Sequence, residues 1–158
     1  MKTILAPIDF SPATDLVVKE AATLARALDG RVILLTVVQP LPMLGEYAGM
    51  IDISQITAAG EKNAARQLAT QEATLKDQFV KADSVQVTGS PVRAILEAAA
   101  DQDADYIVMG SHGHTAFYDL LVGSTTHGVL MRSKCPVVIV PAAKKLAPAR
   151  GKKTRSTG

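Results

Sequence analysis

The stretch RVILLTVV, residues 31–38, is apolar at every position except Arg31 and Thr36. A strand with one buried face alternates apolar and polar residues, whereas this stretch is apolar on both faces. Both faces therefore need a cover, and helices on the two sides of a parallel sheet provide one. The stretch predicts an α/β fold.

Four further segments are predicted as strands, and helical patterns lie between them. Alternating strands and helices indicate a Rossmann-like open five-stranded parallel sheet with helices on both faces. Right-handed crossovers leave few topologies, and among these we predict the order 3-2-1-4-5. In chain order the predicted strands are TILAPID (3–9), RVILLTVV (31–38), SVQVTG (84–89), DYIVMG (105–110) and CPVVIVP (135–141).

Helix boundaries are predicted from Ser, Pro and Gly signals. Residues 40–54, between the second predicted strand and the second predicted helix, are predicted to form a loop that is long enough to be a lid or a binding segment. The first predicted helix has Ser11 as N-cap and Pro12 as first residue, and it ends before Gly30. The second extends over 55–79, the third begins at Ser90 and Pro91, and the fourth extends over 125–132.

The composition limits the class of protein. With 158 residues, 47% hydrophobic and 20% charged, the chain fits one globular domain. A single cysteine cannot form an internal disulfide, and residues 1–8 do not resemble an export signal, so a cytoplasmic location is expected. The apolar runs are strand-sized, well below the roughly 20 residues of a membrane helix, so no membrane span is expected.

The positive charge is concentrated at the carboxyl end. Six Lys and Arg residues and no acid lie after Val140, and removing these six charges from the formal total of +2 leaves −4 for residues 1–140. A negative body with few aromatic residues makes specific nucleic-acid binding unexpected. We therefore predict one domain over 1–141 and a flexible basic tail over 142–158, with a weak anchor for RNA or anionic lipid as the alternative for the tail.

A glycine-rich segment, GSHGHTAFYDLLVGSTTHG (110–128), begins at the last residue of the fourth predicted strand. In the predicted order the chain reverses direction between strands one and four, and ligands bind in the crevice where such strands part. Glycine permits positive φ and close approach of a ligand to bare backbone. Ser124, Thr125 and Thr126 are expected to cap the next helix, whose free N–H groups attract anions. The segment predicts a phosphate site; the alternative is a tight turn before an ordinary capped helix.

The spacing Gly110-x2-Gly113-x9-Gly123-Ser124 resembles the motif of nucleotide-binding members of the universal stress protein family. The segments ILAPIDFS, VILLTVV and CPVVIVP are also similar to that family, so the resemblance covers residues 1 to about 141. It implies an adenine nucleotide, ATP or AMP, bound between strands one and four, and ATP could bring a Mg²⁺ ion with it. The resemblance also implies a homodimer joined through the fifth strands.

Individual roles follow from the resemblance by position. Pro7 and Asp9 would face the nucleoside, the backbone of Val37 would read the adenine edge, and Met109 with Gly110 would line the ribose end. Phosphates would be held by Gly113, Gly123, Ser124 and Thr125. The full predicted nucleotide-binding set is Pro7, Ile8, Asp9, Thr36, Val37, Met109, Gly110, Ser111, His112, Gly113, His114, Gly123, Ser124, Thr125 and Thr126.

Several positions leave alternatives open. His114 stands where many relatives have Arg or Lys, and Ala116 where a further glycine is common, so ATP and AMP are both retained as ligands. A carboxylate near phosphates is best placed against sugar hydroxyls or the adenine amine, but Asp9 could instead cap the turn before Ser11. His112 and His114 with a third histidine could suggest zinc, but no metal site is predicted because no cysteine or second carboxylate has ligand spacing.

The residues favour a binding protein over an enzyme. The sequence has no Walker G-x4-G-K-S/T motif and no glycine-rich loop after the first strand, and no acid is placed as a general base beside the predicted phosphate site. Together with the family resemblance, which implies a dimeric regulatory protein of the stress response, this predicts a binding protein with no catalytic residues. The alternative is a slow ATP-hydrolysing or adenylate-processing enzyme, while a phosphate-accepting receiver domain would need more acids than Asp9.

The fifth predicted strand, Pro136 to Val140, is apolar and lies at the edge of the sheet. An exposed apolar edge tends to pair with another strand, and pairing with its own copy across a two-fold axis would cover it. This strand is the predicted dimer interface.

Overall fold

The computed structural model describes residues 1–40, 53–111 and 122–141. Strands and helices alternate through these residues, as the sequence predicts. In chain order they are β1 (Thr3–Pro7), α1 (Thr14–Ala27), β2 (Arg31–Val38), α2 (Ile53–Asp77), β3 (Lys81–Thr88), α3 (Pro91–Asp101), β4 (Tyr106–Gly110), α4 (Ser124–Leu130) and β5 (Val137–Val140).

The five strands form one sheet in the order β3-β2-β1-β4-β5, and all neighbouring pairs are parallel. The predicted fold class and strand order are confirmed. β1 is the central strand, with β2 on one side and β4 on the other. The chain moves outward from β1 through β2 to β3, and then returns to the other side of β1 at β4. The reversal lies between β1 and β4, which is where the sequence places it.

Helices cover both faces of the sheet, as the apolar stretch at 31–38 requires. Val32 and Leu34 of β2 belong to a core cluster with α1 and α2. Ile33 and Leu35 point to the opposite face and join a cluster with α3 and α4. All four side chains are fully buried. The two clusters are separated by the backbone of the sheet, because successive side chains of a strand point to opposite faces.

The predicted start of α1, with Ser11 as N-cap and Pro12 as the first helical residue, is wrong. The first helical hydrogen bond is donated by the N–H of Val17 to the carbonyl of Ala13 at 3.0 Å, and Ala13 is the N-cap. The N–H of Thr14 donates to the Ser11 carbonyl at 3.0 Å, which closes a turn with Pro12 at its second position. Proline is favoured there because its φ is already fixed near the required value. The Ser-Pro pair therefore forms a turn before the helix.

Other boundaries shift by a few residues. β3 begins at Lys81 rather than at 84, because it pairs with β2 from the first residue of both strands. Lys81 and Asp83 are exposed at this edge, so hydropathy alone did not mark them as strand. α2 begins at Ile53, two residues before the predicted helix start at 55. Residues 41–52 of the predicted loop and the predicted tail, 142–158, lie outside the described residues.

Asp105 joins the amino-terminal ends of β1 and β4. Its side chain accepts hydrogen bonds from the Lys2 ammonium group at 2.7 Å and from the N–H of Thr3 at 2.8 Å, and its own N–H donates to the Thr3 carbonyl at 2.8 Å. The Lys2 hydrogen bond is the main reason why the pKa of Asp105 lies below its ordinary value. These bonds fix the relative position of β1 and β4 at the end opposite to the crevice.

Gly30 provides a test of how tightly the turn between α1 and β2 packs. A Cβ atom on Gly30 would lie 2.6 Å from the Lys2 carbonyl oxygen and 2.9 Å from Cδ1 of Ile4. We expect Gly30→Ala to lower the free energy of unfolding by about 1–3 kcal/mol, because the backbone must shift to remove the overlap. Urea denaturation would measure the change.

Gly60 is the matched control, because it is an exposed glycine of α2. Apart from the backbone of its own helix, no atom of the described residues would lie within 4 Å of a Cβ added there. Gly60→Ala should raise the free energy of unfolding by up to about 1 kcal/mol through helix propensity. Equal stability of the two variants would contradict the packing assigned to Gly30.

Candidate functional site at the carboxyl ends of β1 and β4

The pairing between β1 and β4 ends before either strand does. They pair through only two residue pairs, Ile4 with Tyr106 and Leu5 with Ile107. In contrast, β1 stays paired with β2 as far as Pro7, and β4 stays paired with β5 as far as Gly110. The hydrogen-bonded ladder is therefore interrupted between β1 and β4, at the predicted switch point.

The β1 side of the opening is held by backbone hydrogen bonds. The N–H of Ile8 donates to the Leu35 carbonyl at 2.8 Å, and the Thr36 hydroxyl donates to the Ile8 carbonyl at 3.0 Å. Ile8 and Thr36 are both buried. The Thr36 hydroxyl proton is thus used to fix the chain after β1, so Thr36 shapes this side of the opening through the backbone.

Asp9 follows at the surface and begins the turn into α1. Its Oδ1 accepts a hydrogen bond from the N–H of Ser11 at 3.0 Å, which is the capping role that the sequence left as an alternative. Phe10 between them has a φ of 58°, in the left-handed region that few non-glycine residues adopt. A nucleoside contact by Asp9 stays a prediction, and the Ser11 bond orients the carboxylate that would make it.

The β4 side is closed by bonds between residues that are distant in sequence. The N–H of Ser111 donates to the Val140 carbonyl at 2.8 Å, and the Ser111 carbonyl accepts from the N–H of Gly123 at 2.7 Å. The Thr126 hydroxyl donates to the Gly110 carbonyl at 2.8 Å. These bonds bring the start of α4 against the end of β4. The predicted site residues Gly110, Ser111, Gly123 and Thr126 are therefore direct neighbours.

The expected capping of α4 by Ser124, Thr125 and Thr126 is wrong. Gly123 is the N-cap, and its carbonyl accepts the first helical bond from the N–H of His127 at 2.8 Å. The helix begins at Ser124, one residue earlier than predicted. The Thr126 hydroxyl does not cap the helix because it is directed to Gly110.

Positive φ does not explain the two described glycines of the motif. Gly123 has a φ of −67° and a ψ of 159°, which any residue can adopt, and Gly110 lies in β4. Glycine at either position also leaves the backbone without a side chain beside it.

The other predicted site residues divide into two groups. Val37 packs partly buried against the core cluster with α3 and α4, and Met109 is a buried member of that cluster. Ser124 is exposed and Thr125 is half-buried at the first turn of α4. His112, Gly113 and His114 lie outside the described residues. The sequence analysis did not include Val140 among the site residues, although its carbonyl accepts the hydrogen bond from the N–H of Ser111. The sequence signal was Pro141, which follows the last residue of β5 and so places Val140 at the carboxyl end of that strand.

A metal-binding group of side chains and a membrane-spanning helix are both absent from the described part of the chain. Within it, no group of three or more His, Cys, Asp or Glu side chains could hold a metal ion. Over the same residues, none of the helices combines the length and apolar character needed to span a bilayer.

The family model of universal stress proteins matches residues 1–141. The chain belongs to the universal stress protein family. Universal stress protein MJ0577 of Methanocaldococcus jannaschii is 29% identical over 152 residues, which cover 88% of this chain and 94% of the relative. A universal stress protein of Thermus aquaticus is 31% identical over 140 residues, which cover 88% and 98% of the two chains.

Solved structures of universal stress proteins share the fold. The structure of MJ0577 superposes with a TM-score of 0.77 at 28% identity, over 90% of this chain and 96% of that chain. A universal stress protein in complex with cAMP gives 0.68 at 24% identity, over 90% and 98% of the chains. The Archaeoglobus fulgidus protein in complex with dAMP gives 0.62 at 20% identity, over 88% and 97%.

Thr126→Val tests the bond that holds α4 against β4 in this universal stress protein. Valine keeps the size of the side chain but removes the donor to the Gly110 carbonyl. We expect the free energy of unfolding to fall by about 1–3 kcal/mol, because a largely buried carbonyl loses its partner. Thermal and urea denaturation would measure the loss.

Thr74→Val is the control, since Thr74 is exposed on α2 and its hydroxyl bonds the Thr70 carbonyl of the preceding turn at 2.9 Å. Its effect should stay within about 0.5 kcal/mol, the usual range for surface substitutions. A loss in Thr126→Val no larger than in Thr74→Val would show that the bond to Gly110 contributes little.

Proposed function

We propose that this universal stress protein binds an adenine nucleotide, ATP or AMP, in the opening between β1 and β4, and that it acts as a regulatory binding protein. The observation that carries the proposal is the contact between the end of β4 and the start of α4, formed by Ser111, Gly123 and Thr126. This contact closes the ends of the glycine-rich segment at the place where the central strands separate.

The phosphates are assigned to the β4 side. The N–H groups of the first turn of a helix have no partner within the helix, and here that turn contains Ser124 and Thr125 after Gly123. Ser124 is exposed, so its hydroxyl is accessible to a phosphate oxygen. Backbone N–H groups at such a position favour negative charge. Gly113, His112 and His114 would complete this end of the site.

The nucleoside is assigned to the β1 side. Asp9 would repel phosphates at short range but can accept hydrogen bonds from ribose hydroxyls or from the adenine amine. Its carboxylate is exposed and is oriented by the N–H of Ser11. Placing base and sugar near Asp9 and Val37 leaves the phosphates near Gly123 and Ser124.

Two solved relatives support an adenine monophosphate as the first ligand to test. Their structures contain cAMP and dAMP, each of which has an adenine base and one phosphate. ATP would need further cationic or N–H groups for its additional charge, or a Mg²⁺ ion. AMP therefore requires fewer groups than ATP at the site that we propose.

Isothermal titration calorimetry with AMP and ATP tests the proposal. We expect wild-type protein to bind at one site per chain, and Ser124→Ala to bind more weakly by about threefold to tenfold, the loss of a single hydrogen bond of about 1 kcal/mol. Ser90→Ala is the matched control, because Ser90 is exposed at the start of α3 and its hydroxyl makes no cap hydrogen bond within the described chain.

The absence of heat from every adenine nucleotide at millimolar concentration would refute the proposed binding. Phosphate release from ATP and Mg²⁺ in the same samples separates a binding protein from an enzyme. Turnover above about 1 per second, the lower end of typical enzyme rates, would favour the enzyme.

A homodimer through β5 is the second part of the proposal. Within the described sheet β5 pairs only with β4, so its other edge is open. Val138 is 37% exposed, and Val137 and Ile139 are partly buried. An apolar edge strand of this kind is normally covered, and a second copy of β5 would cover it symmetrically.

Val138→Lys tests this interface by placing a like charge on both copies of the edge strand. We expect sedimentation velocity to show a dimer for the wild type and a monomer for the variant. Thr88→Lys is the control, since Thr88 is exposed on β3 at the opposite edge of the sheet and should leave the dimer intact. A dimer that survives Val138→Lys would reject β5 as the interface.

A further inference from the structure

Hydrogen bonds at the ends of β1 show which of its residues face β4. On the β2 side, the Lys2 carbonyl accepts from the N–H of Arg31, and the N–H of Ile8 donates to the Leu35 carbonyl, both at 2.8 Å. On the β4 side, the Thr3 carbonyl accepts from the N–H of Asp105 at 2.8 Å. Alternate residues of a strand bond to the same neighbour, so even-numbered residues of β1 face β2 and odd-numbered residues face β4.

Pro7 is the odd-numbered residue that follows Leu5. In the register that pairs Leu5 with Ile107, the next bond from β1 would be donated by the N–H of residue 7 to the carbonyl of Val108. Proline has no N–H, so this bond cannot form. The ladder between β1 and β4 ends at Leu5 and Ile107, as that chemistry requires.

Both strands continue beyond this point and stay paired with their other neighbours. β4 remains paired with β5 for three more residues, from Val108 to Gly110. β1 remains paired with β2 as far as Pro7. The missing N–H of Pro7 lies on the side of β1 that faces β4, so it does not affect the pairing with β2. The interruption of the ladder is therefore confined to the pair of strands between which Pro7 lacks its N–H.

We propose that Pro7 is a positioning residue that keeps the nucleotide crevice open by preventing the next hydrogen bond between β1 and β4. This inference rests on the proposed function for its ligand, but the end of the ladder at Leu5 and Ile107 is a property of the free protein. An N–H at position 7 would draw the two strands together where the sugar and phosphates are expected. It would also engage the Val108 carbonyl, which otherwise can accept from another donor.

Pro7→Ala in the full chain tests the inference. We expect the new N–H of the alanine to join the ladder, so that its hydrogen exchange, followed by NMR, is slowed to the range of the neighbouring strand amides. AMP affinity measured by calorimetry should fall by about tenfold. Added pairing stabilises the sheet, so the variant should fold at least as well as the wild type.

Pro91→Ala is the matched control. Pro91 is the first residue of α3, where an N–H has no helical partner, and it does not belong to a strand. Its substitution removes a proline without adding a sheet donor. The new N–H should exchange rapidly and AMP affinity should stay within about twofold of the wild type.

Two outcomes would overturn the inference: rapid exchange of the alanine N–H in Pro7→Ala, or slow exchange together with unchanged AMP affinity. If the wild type binds no adenine nucleotide, the proposed function fails, and with it the role of Pro7 toward a ligand. The exchange rate in Pro7→Ala then still decides whether Pro7 ends the ladder.

Discussion

The structure depends on the hydrogen bonding of its central strand. β1 is buried on both faces and has a neighbour on each side, so its backbone groups must be paired within the sheet. At the amino-terminal end this condition is met on both sides, with Asp105 adding side-chain bonds to Lys2 and Thr3. At the carboxyl end it is met toward β2 alone. A gap in the middle of a sheet is the place where a ligand can approach main-chain atoms without competing with a neighbouring strand.

The groups around this gap are held by bonds that connect distant parts of the chain. Thr36 fixes the carbonyl of Ile8, Thr126 fixes that of Gly110, and Val140 fixes the N–H of Ser111. Thr36 and Thr126 are 3% exposed. Each hydroxyl donates to a backbone carbonyl, and burying a polar group that has a hydrogen-bond partner costs little free energy. The described backbone on both sides of the candidate site is therefore held by hydrogen bonds within the protein.

Much of the fold could be predicted because it follows from patterns within short segments. The apolar residues on both faces of 31–38 predicted a parallel sheet, and the alternation of strands and helices left few possible strand orders, among them the observed one. The start of α1 could not be predicted, since Ser11 and Pro12 fit a helix start and a turn equally well. The choice depends on the contact between the N–H of Ser11 and Asp9, and on the core that α1 covers from Ala13 onward.

The position of the candidate site could be predicted from the sequence, but the hydrogen-bond partners of its side chains could not. Thr126 and Thr36 were expected to face a ligand, and the structure directs their hydroxyl protons to carbonyl groups. Which donor meets which acceptor depends on distances between segments, and the sequence does not contain these. Pro7 was visible in the sequence, but its effect on pairing required the register of β1 against β4.

The backbone construction of this site has a consequence for mutagenesis. Where the proposed recognition uses main-chain atoms, truncating a side chain leaves those atoms in place, so an alanine scan would report only the side-chain contacts, such as those assigned to Ser124 and Asp9. Substitutions that add or delete an amide hydrogen, or that fill the space beside a glycine, act on the recognising atoms themselves. Backbone chemistry, such as replacing a single amide by an ester, would therefore reveal more of this surface than a conventional scan.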